Sequence, residues 1–390
     1  MTAGRFDAVI AGGGLSGLSL AGHLAAGGWA DRRVLVIDQA EPGPSASCWA
    51  FWSARPGLLD SAVSRSFRQV AVHAGGTSLV LPLRPYRYRV VRRPDLRRAV
   101  AGLLAGCPGF AVRRGRVQRV GDGTEVAEVV VDGERIHTRW VFDSVSPARC
   151  DEPADARLAF TGWEVRCDRP TFDPHTPVLF DFRTPQPDGA RFVYLLPDGE
   201  YRALVELTEF VPRHARPPAP AQRCAALARY LRDVVGTATY TIARTESAVL
   251  PLRAHPPSRT GCHILRTGAR AGLVKASTGY AYQRIQRDSA AIAGSLARYG
   301  HPFDIPGSRR RYRLLDAVLL AVLDRRPAQL ERAFARLFTT NPAARVLRFL
   351  DEDSNLRDEL ALIRGLPPAP YLRAATRLVL PSGRPLVQRR

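Results

Sequence analysis

Apolar and polar residues follow several different rhythms along the chain, and each rhythm predicts a different region. Phe6–Ala11 (FDAVIA) and residues 33–37 (RVLVI) are apolar apart from Asp7 and Arg33 near their starts, the pattern of strands buried on both faces of a parallel sheet. Leu15–Ala26 lies between them with helical spacing, so the first forty residues predict a strand–helix–strand unit. Residues 45–83 keep no clean period and read as irregular, with an aromatic cluster at Trp49, Phe51 and Trp52. Helical periodicity returns at Arg93–Leu104 (RPDLRRAVAGLL), where Pro94 sits in the first turn and its missing N–H breaks no helical bond.

Residues 110–145 alternate in the manner of strands. Asp122-Gly123 and Asp132-Gly133 serve as hairpin turns, and the run ends in the apolar stretch 140–142 before Asp143-Ser144. A small β-meander feeding back to the first sheet follows from this. Longer strands come next at residues 160–166 (FTGWEVR), 178–182 (VLFDF), 191–197 (RFVYLLP) and 201–210 (YRALVELTEF), for which an antiparallel sheet is the natural assembly. A proline-rich loop to Pro220 leads to a helix over 222–235. Strands near Thr239 and His263 precede a long helix over 280–299, opened by Ser277-Thr278-Gly279. Beyond about residue 312 the pattern is helical, broken at Pro327, Pro342 and Pro367.

The expected class is therefore α/β: a Rossmann-like dinucleotide-binding domain, an antiparallel-sheet substrate domain and a helical C-terminal region. The first would be discontinuous, residues 1–155 together with 255–300; the second would take 156–254 and the third 301–390. A chain of 390 residues is long enough for two packed lobes with an appendage.

Composition changes this picture in two ways. Fifty-seven basic against 36 acidic residues leave a formal charge of +21, almost all of it from arginine, with Lys275 as the single lysine. Nucleic acid, an anionic membrane surface and a general arginine bias each account for such a charge. No nucleic-acid motif accompanies it, and no nucleic-acid partner is expected. Residues 8–30 carry no charge beyond a His23 proton, but their seven glycines argue against a membrane span or signal peptide. Any membrane contact is then peripheral, and the cytoplasm is the expected location. The six cysteines, at 48, 107, 150, 167, 224 and 262, form no C-x-x-C pair and no metal-like cluster, which fits a reducing compartment.

Gly12-Gly13-Gly14-Leu15-Ser16-Gly17 is the chemistry-bearing motif. In this pattern the first glycine permits a tight turn, Gly14 admits a pyrophosphate against backbone, and Gly17 allows close packing of the helix, whose N-terminus faces the phosphates. Asp38 closes the second strand where a carboxylate grips ribose hydroxyls. The unit predicts a bound dinucleotide, FAD rather than NAD. Arg93, Asp143 and the turn 267–272 with Gly268 and Gly272, followed by Thr278, are further candidate cofactor contacts.

The blocks FDAVIAGGGLSGLSLA, RRPDLRRAV, FDS, FTGWEVR, FVYLLP, ALVELTEF, KASTGYAYQRIQRD, LLDAVLLAVL and VLRFLDEDS, in this order from residue 6 to about 373, resemble those of bacterial lycopene β-cyclases. The resemblance implies reduced FAD as a non-redox cofactor, NADPH as the source of reducing equivalents, and lycopene or a related acyclic carotenoid as substrate, its ψ ends closing to β-ionone rings. Such an isomerisation needs an acid for the terminal alkene, a shielded carbocation and a base for a ring proton. By the same resemblance the catalytic acid corresponds to Glu206. Strand alternation puts Leu204, Glu206, Thr208 and Phe210 on one face, where desolvation favours the protonated carboxyl, and turns Glu209 the other way. Trp49, Phe51, Trp52, Trp163, Tyr280 and Tyr282 are candidates to line a polyene tunnel. The turn at 268–272 departs from the family, with Ala271-Gly272 where a glycine pair is usual. Flavin-dependent hydroxylases and prenyl reductases share the glycine motif and form the competing reading, but commonly carry a Gly-Asp pair that 267–272 lacks.

Overall fold

A computed structural model describes residues 6–39, 47–146, 154–186 and 190–379; Ser45 and Cys150 lie outside them. The chain opens with β1 (Phe6–Ala11), α1 (Leu15–Ala26) and β2 (Val34–Asp38). The segment read as irregular contains β3 (Cys48–Ser53), β4 (Val63–Phe67), β5 (Gln69–Ala74) and β6 (Thr77–Pro82), and β7 (Arg87–Arg92) leads directly into α2 (Arg93–Leu104). These strands escaped the periodicity because they are short and their outer residues, such as Ser64, Arg65 and Ser66, are exposed and polar. Next come β8 (Phe110–Arg114), β9 (Val117–Asp122), β10 (Ala127–Val131) and β11 (Glu134–Asp143).

The second half begins with β12 (Ala156–Cys167), β13 (Val178–Asp181), β14 (Ala190–Pro197) and β15 (Arg202–Pro212), followed by α3 (Pro220–Tyr230), β16 (Tyr240–Leu252) and β17 (Ile264–Arg266). Helices complete it: α4 (Tyr282–Tyr299), α5 (Arg310–Arg325), α6 (Gln329–Thr340), α7 (Ala343–Leu350), α8 (Leu356–Arg364) and α9 (Pro368–Val379).

The first sheet runs β8-β2-β1-β11-β10-β9, with β17 also on β11. Its centre is parallel, and the β9–β10–β11 meander is antiparallel. Ala8 and Ile10 pack with α1, α2 and α4, while Val9 packs on the opposite face with Leu35, Ile37 and Val129. Burial on both faces is the reason residues 8–11 are apolar at every position.

The second sheet runs β16-β12-β15-β14-β13-β5-β6 and is antiparallel apart from the parallel β13–β5 pair. Strands β5 and β6 therefore join the sheet that the sequence built from 156–254 alone, because β13 offers a free edge to which β5 bonds. Strands β3, β7 and β4 form a separate small sheet. One face of the second sheet packs Val205 and Leu207 against Leu227 and Tyr230 of α3. The other packs Phe180 and Phe192 against Phe334 and Phe338 of α6, with Phe180–Phe334 centroids 4.5 Å apart. The fold is thus a mixed α/β assembly with a helical C-terminal region that covers one sheet face.

Candidate active site

The turn after β1 brings backbone to the mouth of a cavity. Gly12 has φ +111°, a conformation that a side chain disfavours, and a Cβ at Gly17 would collide with the Gly12 carbonyl oxygen. A Cβ on Gly14 would meet nothing within 4 Å, so this glycine leaves space at the N-terminus of α1. Asp38, buried at the end of β2, receives Arg93 Nη2 at 3.0 and 3.1 Å and is also paired with Arg97. Arg93 Nη2 reaches the Gly13 carbonyl at 3.2 Å as well. Free helix N–H groups, two guanidiniums and a carboxylate around one glycine turn suit the diphosphate and ribose of a dinucleotide. Arg97, one helical turn beyond Arg93, was not singled out in the sequence.

Gly14, Leu15 and Ser16 form one wall of a cavity of ≈ 410 Å³ between the two sheets, a size usual for small-molecule sites. The opposite wall is apolar: Leu158, Phe160, Leu196, Leu204 and Leu250. Trp49, Tyr88, Tyr194, Tyr280 and Tyr282 add aromatic faces. Tyr282 stacks on Phe51 with centroids 4.0 Å apart, and beyond that pair a second cavity of ≈ 310 Å³ is lined by Phe51, Trp52 and Tyr282. Five of the six candidate tunnel aromatics therefore meet at these two cavities. Trp163 does not: it points through the other face of its strand, toward Tyr240 and the α3 core.

Glu206 stands in the apolar wall with Leu204 and Thr208 beside it, as the alternation of β15 requires. Thr208 Oγ1 donates to Glu206 Oε1 at 3.2 Å. Burial, and then the negative charge of Glu246, push the Glu206 carboxyl up to about 8. Glu246 also lines the cavity, and burial raises its carboxyl too, opposed by Arg244. The two carboxyls face the same cavity, and each perturbs the other's hold on a proton. Their meeting depends on β12: Gly162 is the register partner of Glu206 on one side and of Glu246 on the other. Glu209, on the reverse face, is held by Arg191 Nη2 at 2.6 Å in a buried ion pair.

The remaining candidates divide. Gly268, with φ +73°, and Thr278 line the cavity. Gly272 lies away from it, against Pro256. Asp143 Oδ1 accepts the N–H groups of Val145 and Ser146 at 2.9 Å each, so it shapes the turn while its neighbour Ser144 lines the cavity. Glu246, Cys48, Tyr88 and Tyr194 were missed. A charged position among the polar residues Arg244, Thr245 and Ser247 reads as a solvated face, and the one available signal was the shared face of Glu246, Leu250 and Leu252.

Among the described residues no group of three His, Cys, Asp or Glu side chains is arranged to hold a metal ion, and no helix is long and apolar enough to cross a membrane.

Solved structures with this fold include a geranylgeranyl bacteriochlorophyll reductase-like protein of Thermoplasma acidophilum (TM-score 0.64, 13% identity, 95% of this chain and 98% of that one). A flavoprotein/dehydrogenase of Cytophaga hutchinsonii is also similar (TM-score 0.66, 10% identity, 96% and 99%). In sequence, the lycopene beta-cyclase of Pantoea ananas is 27% identical over 271 residues, 64% of this chain and 69% of the relative. That of Paracoccus sp. (strain N81106 / MBIC 01143) is 28% identical over 230 residues, 54% and 56%. The family model described as "Lycopene cyclase protein" matches residues 7–376, from β1 through the cavity-forming strands and into α9, and on that match this chain belongs to the lycopene cyclase family.

Proposed function

We propose that the chain is a lycopene β-cyclase, an isomerase of the intramolecular-lyase type that closes the acyclic ψ ends of lycopene to β-ionone rings. The observation that carries the reading is the place of Glu206, a carboxyl set among leucines in the wall of the cavity, where burial strengthens its hold on a proton. At neutral pH such a group holds a proton it can deliver, the requirement for a general acid acting on an unactivated alkene. Leu158, Leu196, Leu204 and Leu250 keep water from the cation that follows, and the faces of Tyr88, Tyr194 and Tyr280 offer it negative potential. Gly12, Gly13, Gly14, Gly17, Asp38, Arg93 and Arg97 would hold FAD, with Gly268 and Thr278 on the cavity side. When bound in its reduced form, with NADPH as the source of electrons, the flavin supplies negative charge for electrostatic stabilisation without net redox change.

The test is anaerobic incubation of purified, FAD-loaded protein with lycopene in liposomes under flavin-reducing conditions. Cyclic carotenoid should form with no stoichiometric consumption of reductant. Reductant used one-for-one with product would mark a hydroxylase or prenyl reductase instead.

The substrate is insoluble in water, and we place the membrane contact on α8 and α9. Leu356, Leu360 and Ile363 of α8 are 63%, 55% and 46% exposed, and Leu372 and Leu378 of α9 are 62% and 45% exposed. Arg357, Arg364, Arg373 and Arg377 are exposed on the same two helices. Exposed leucines interspersed with arginines, three of the apolar residues on one face of α8, suit the interface of an anionic bilayer. Leu360→Asp with Leu372→Asp should lower sedimentation with acidic liposomes by about tenfold or more, from the loss of two exposed leucines that the bilayer would cover. Added salt should weaken parental binding. Equal recovery of the variant and parent would move the contact elsewhere.

A further inference from the structure

Cyclisation returns a proton for each one it takes, so a carboxylate at the cavity must receive it. We infer that Glu246 is that carboxylate: Glu206 and Glu246 together carry one proton, Glu206 gives it to the alkene, and Glu246 takes the ring proton. This rests on the cyclisation reading and assigns its second carboxyl.

The geometry comes from the sheet. Glu206 on β15 and Glu246 on β16 are each paired to the same residue of β12, Gly162, so all three share a face. Two strand spacings, about 9–10 Å, separate the outer positions, and two glutamate side chains close that gap only by leaning over the strand between them. Gly162 leaves the space empty: a Cβ there would lie 3.2 Å from Glu246 Cγ, 3.3 Å from its Oε1 and 3.3 Å from Leu204 Cδ1. Any larger side chain would be wedged between the carboxyls.

Other groups around the pair are less suited to the part. Glu164 of β12 is bound to Arg244 Nη2 at 2.7 Å and does not line the cavity. Cys48 of β3 lines it, but burial holds it as a thiol, pushed up to about 12. Tyr88 of β7, Tyr194 of β14 and Tyr280 are phenols raised well above their usual range by burial, hence neutral. Arg92 of β7 is engaged by Asp198 at 2.9 Å.

The step balances. The O–H bond of Glu206 breaks as a C–H bond forms at the terminal alkene, leaving two carboxylates facing one carbocation. An alkene electron pair of the substrate closes the ring. A ring C–H bond then breaks, its electrons form the ring double bond, and its proton bonds to Glu246. Proton transfer from Glu246 back to Glu206 restores the starting state, with no electrons exchanged.

The experiment compares FAD-loaded parent, Glu246→Gln and Glu246→Asp for anaerobic turnover of lycopene against pH. Infrared spectroscopy follows the protonated carboxyl band of the same proteins without substrate, with Glu206→Gln to assign the band. Glu246→Gln should lose about 10²-fold in turnover, and Glu246→Asp should regain most of it. A neutral amide cannot repel charge on Glu206, so the alkaline limb of kcat and the infrared titration should both move to lower pH in Glu246→Gln. Parental turnover, or slow turnover with an unmoved limb and band, overturns the assignment, the second result marking a purely structural residue. Should the parent itself leave lycopene unchanged, the cyclase reading falls, while the infrared titration still decides the pair: a moved band supports it and an unmoved one removes it.

Discussion

Glu206→Gln is expected to lower cyclisation by ~10²- to 10⁴-fold, the usual contribution of a general acid, while FAD binding and folding survive. Glutamine keeps the shape of the side chain and can still receive the Thr208 hydroxyl, so the cavity wall is preserved. Only the acidic proton is removed. Parental turnover should itself fall as pH rises through about 8, where Glu206 loses that proton. The same shift has a stability consequence. The folded carboxyl binds its proton more tightly than the unfolded one, so the folded state holds more protons between the two pKa values and stability declines as pH rises across that window. Glu206→Gln should flatten this slope, which urea titrations at several pH values would reveal. Glu209→Gln makes the contrast: it weakens a buried ion pair with Arg191 on the far face and should reduce stability with a milder effect on the chemistry. Near-parental turnover by Glu206→Gln, with FAD shown to be bound, would remove this residue as the acid.

Lys275→Met is expected to destabilise the protein by about 3–5 kcal/mol, the range for removing one partner of a buried ion pair. Lys275 is 3% exposed, and its Nζ lies 2.7 and 2.9 Å from the Asp316 oxygens and 3.2 Å from Glu352 Oε1. Asp316 belongs to α5 and Glu352 to the turn after α7, so the single lysine of the chain fastens the helical region to the segment that supplies Val274 and Thr278 to the cavity. Arg284 still reaches Glu352 at 2.8 Å in the variant, but the ammonium pairing of Asp316 is lost and a buried carboxylate is left behind. The double variant Lys275→Met/Asp316→Leu should recover much of the loss, since it removes both charges and fills the space. An unchanged urea midpoint for the single variant would refute the role of this ion pair as a tie.

The sequence alone determined those parts of the protein whose signals are local. The bounds of β1, α1 and α2 follow from runs and periods within twelve residues, and the glycine turn between β1 and α1 is specified by steric demands on neighbouring residues. The face of β15 that carries Leu204, Glu206 and Thr208 into the cavity is equally local, because side chains alternate along any strand. Asp38 and Arg93 were both legible as cofactor candidates, but their contact with each other was not.

The tertiary structure decided what depends on which strands pair and in what register. Trp163 and Gly162 are adjacent in sequence, yet one enters the α3 core and the other lies beneath the carboxyl pair. No periodicity within β12 says which of its two faces turns to the cavity and which to the α3 core. Glu246 is 40 residues from Glu206 and reads as a solvated charge beside Arg244, Thr245 and Ser247 until β12 lies between the two. Strands β5 and β6 likewise join the second sheet only because β13 presents an edge to them. Backbone hydrogen bonds between distant segments carry little residue-specific information, so the partner of the proposed acid was set by sheet register and by the absence of a side chain at Gly162.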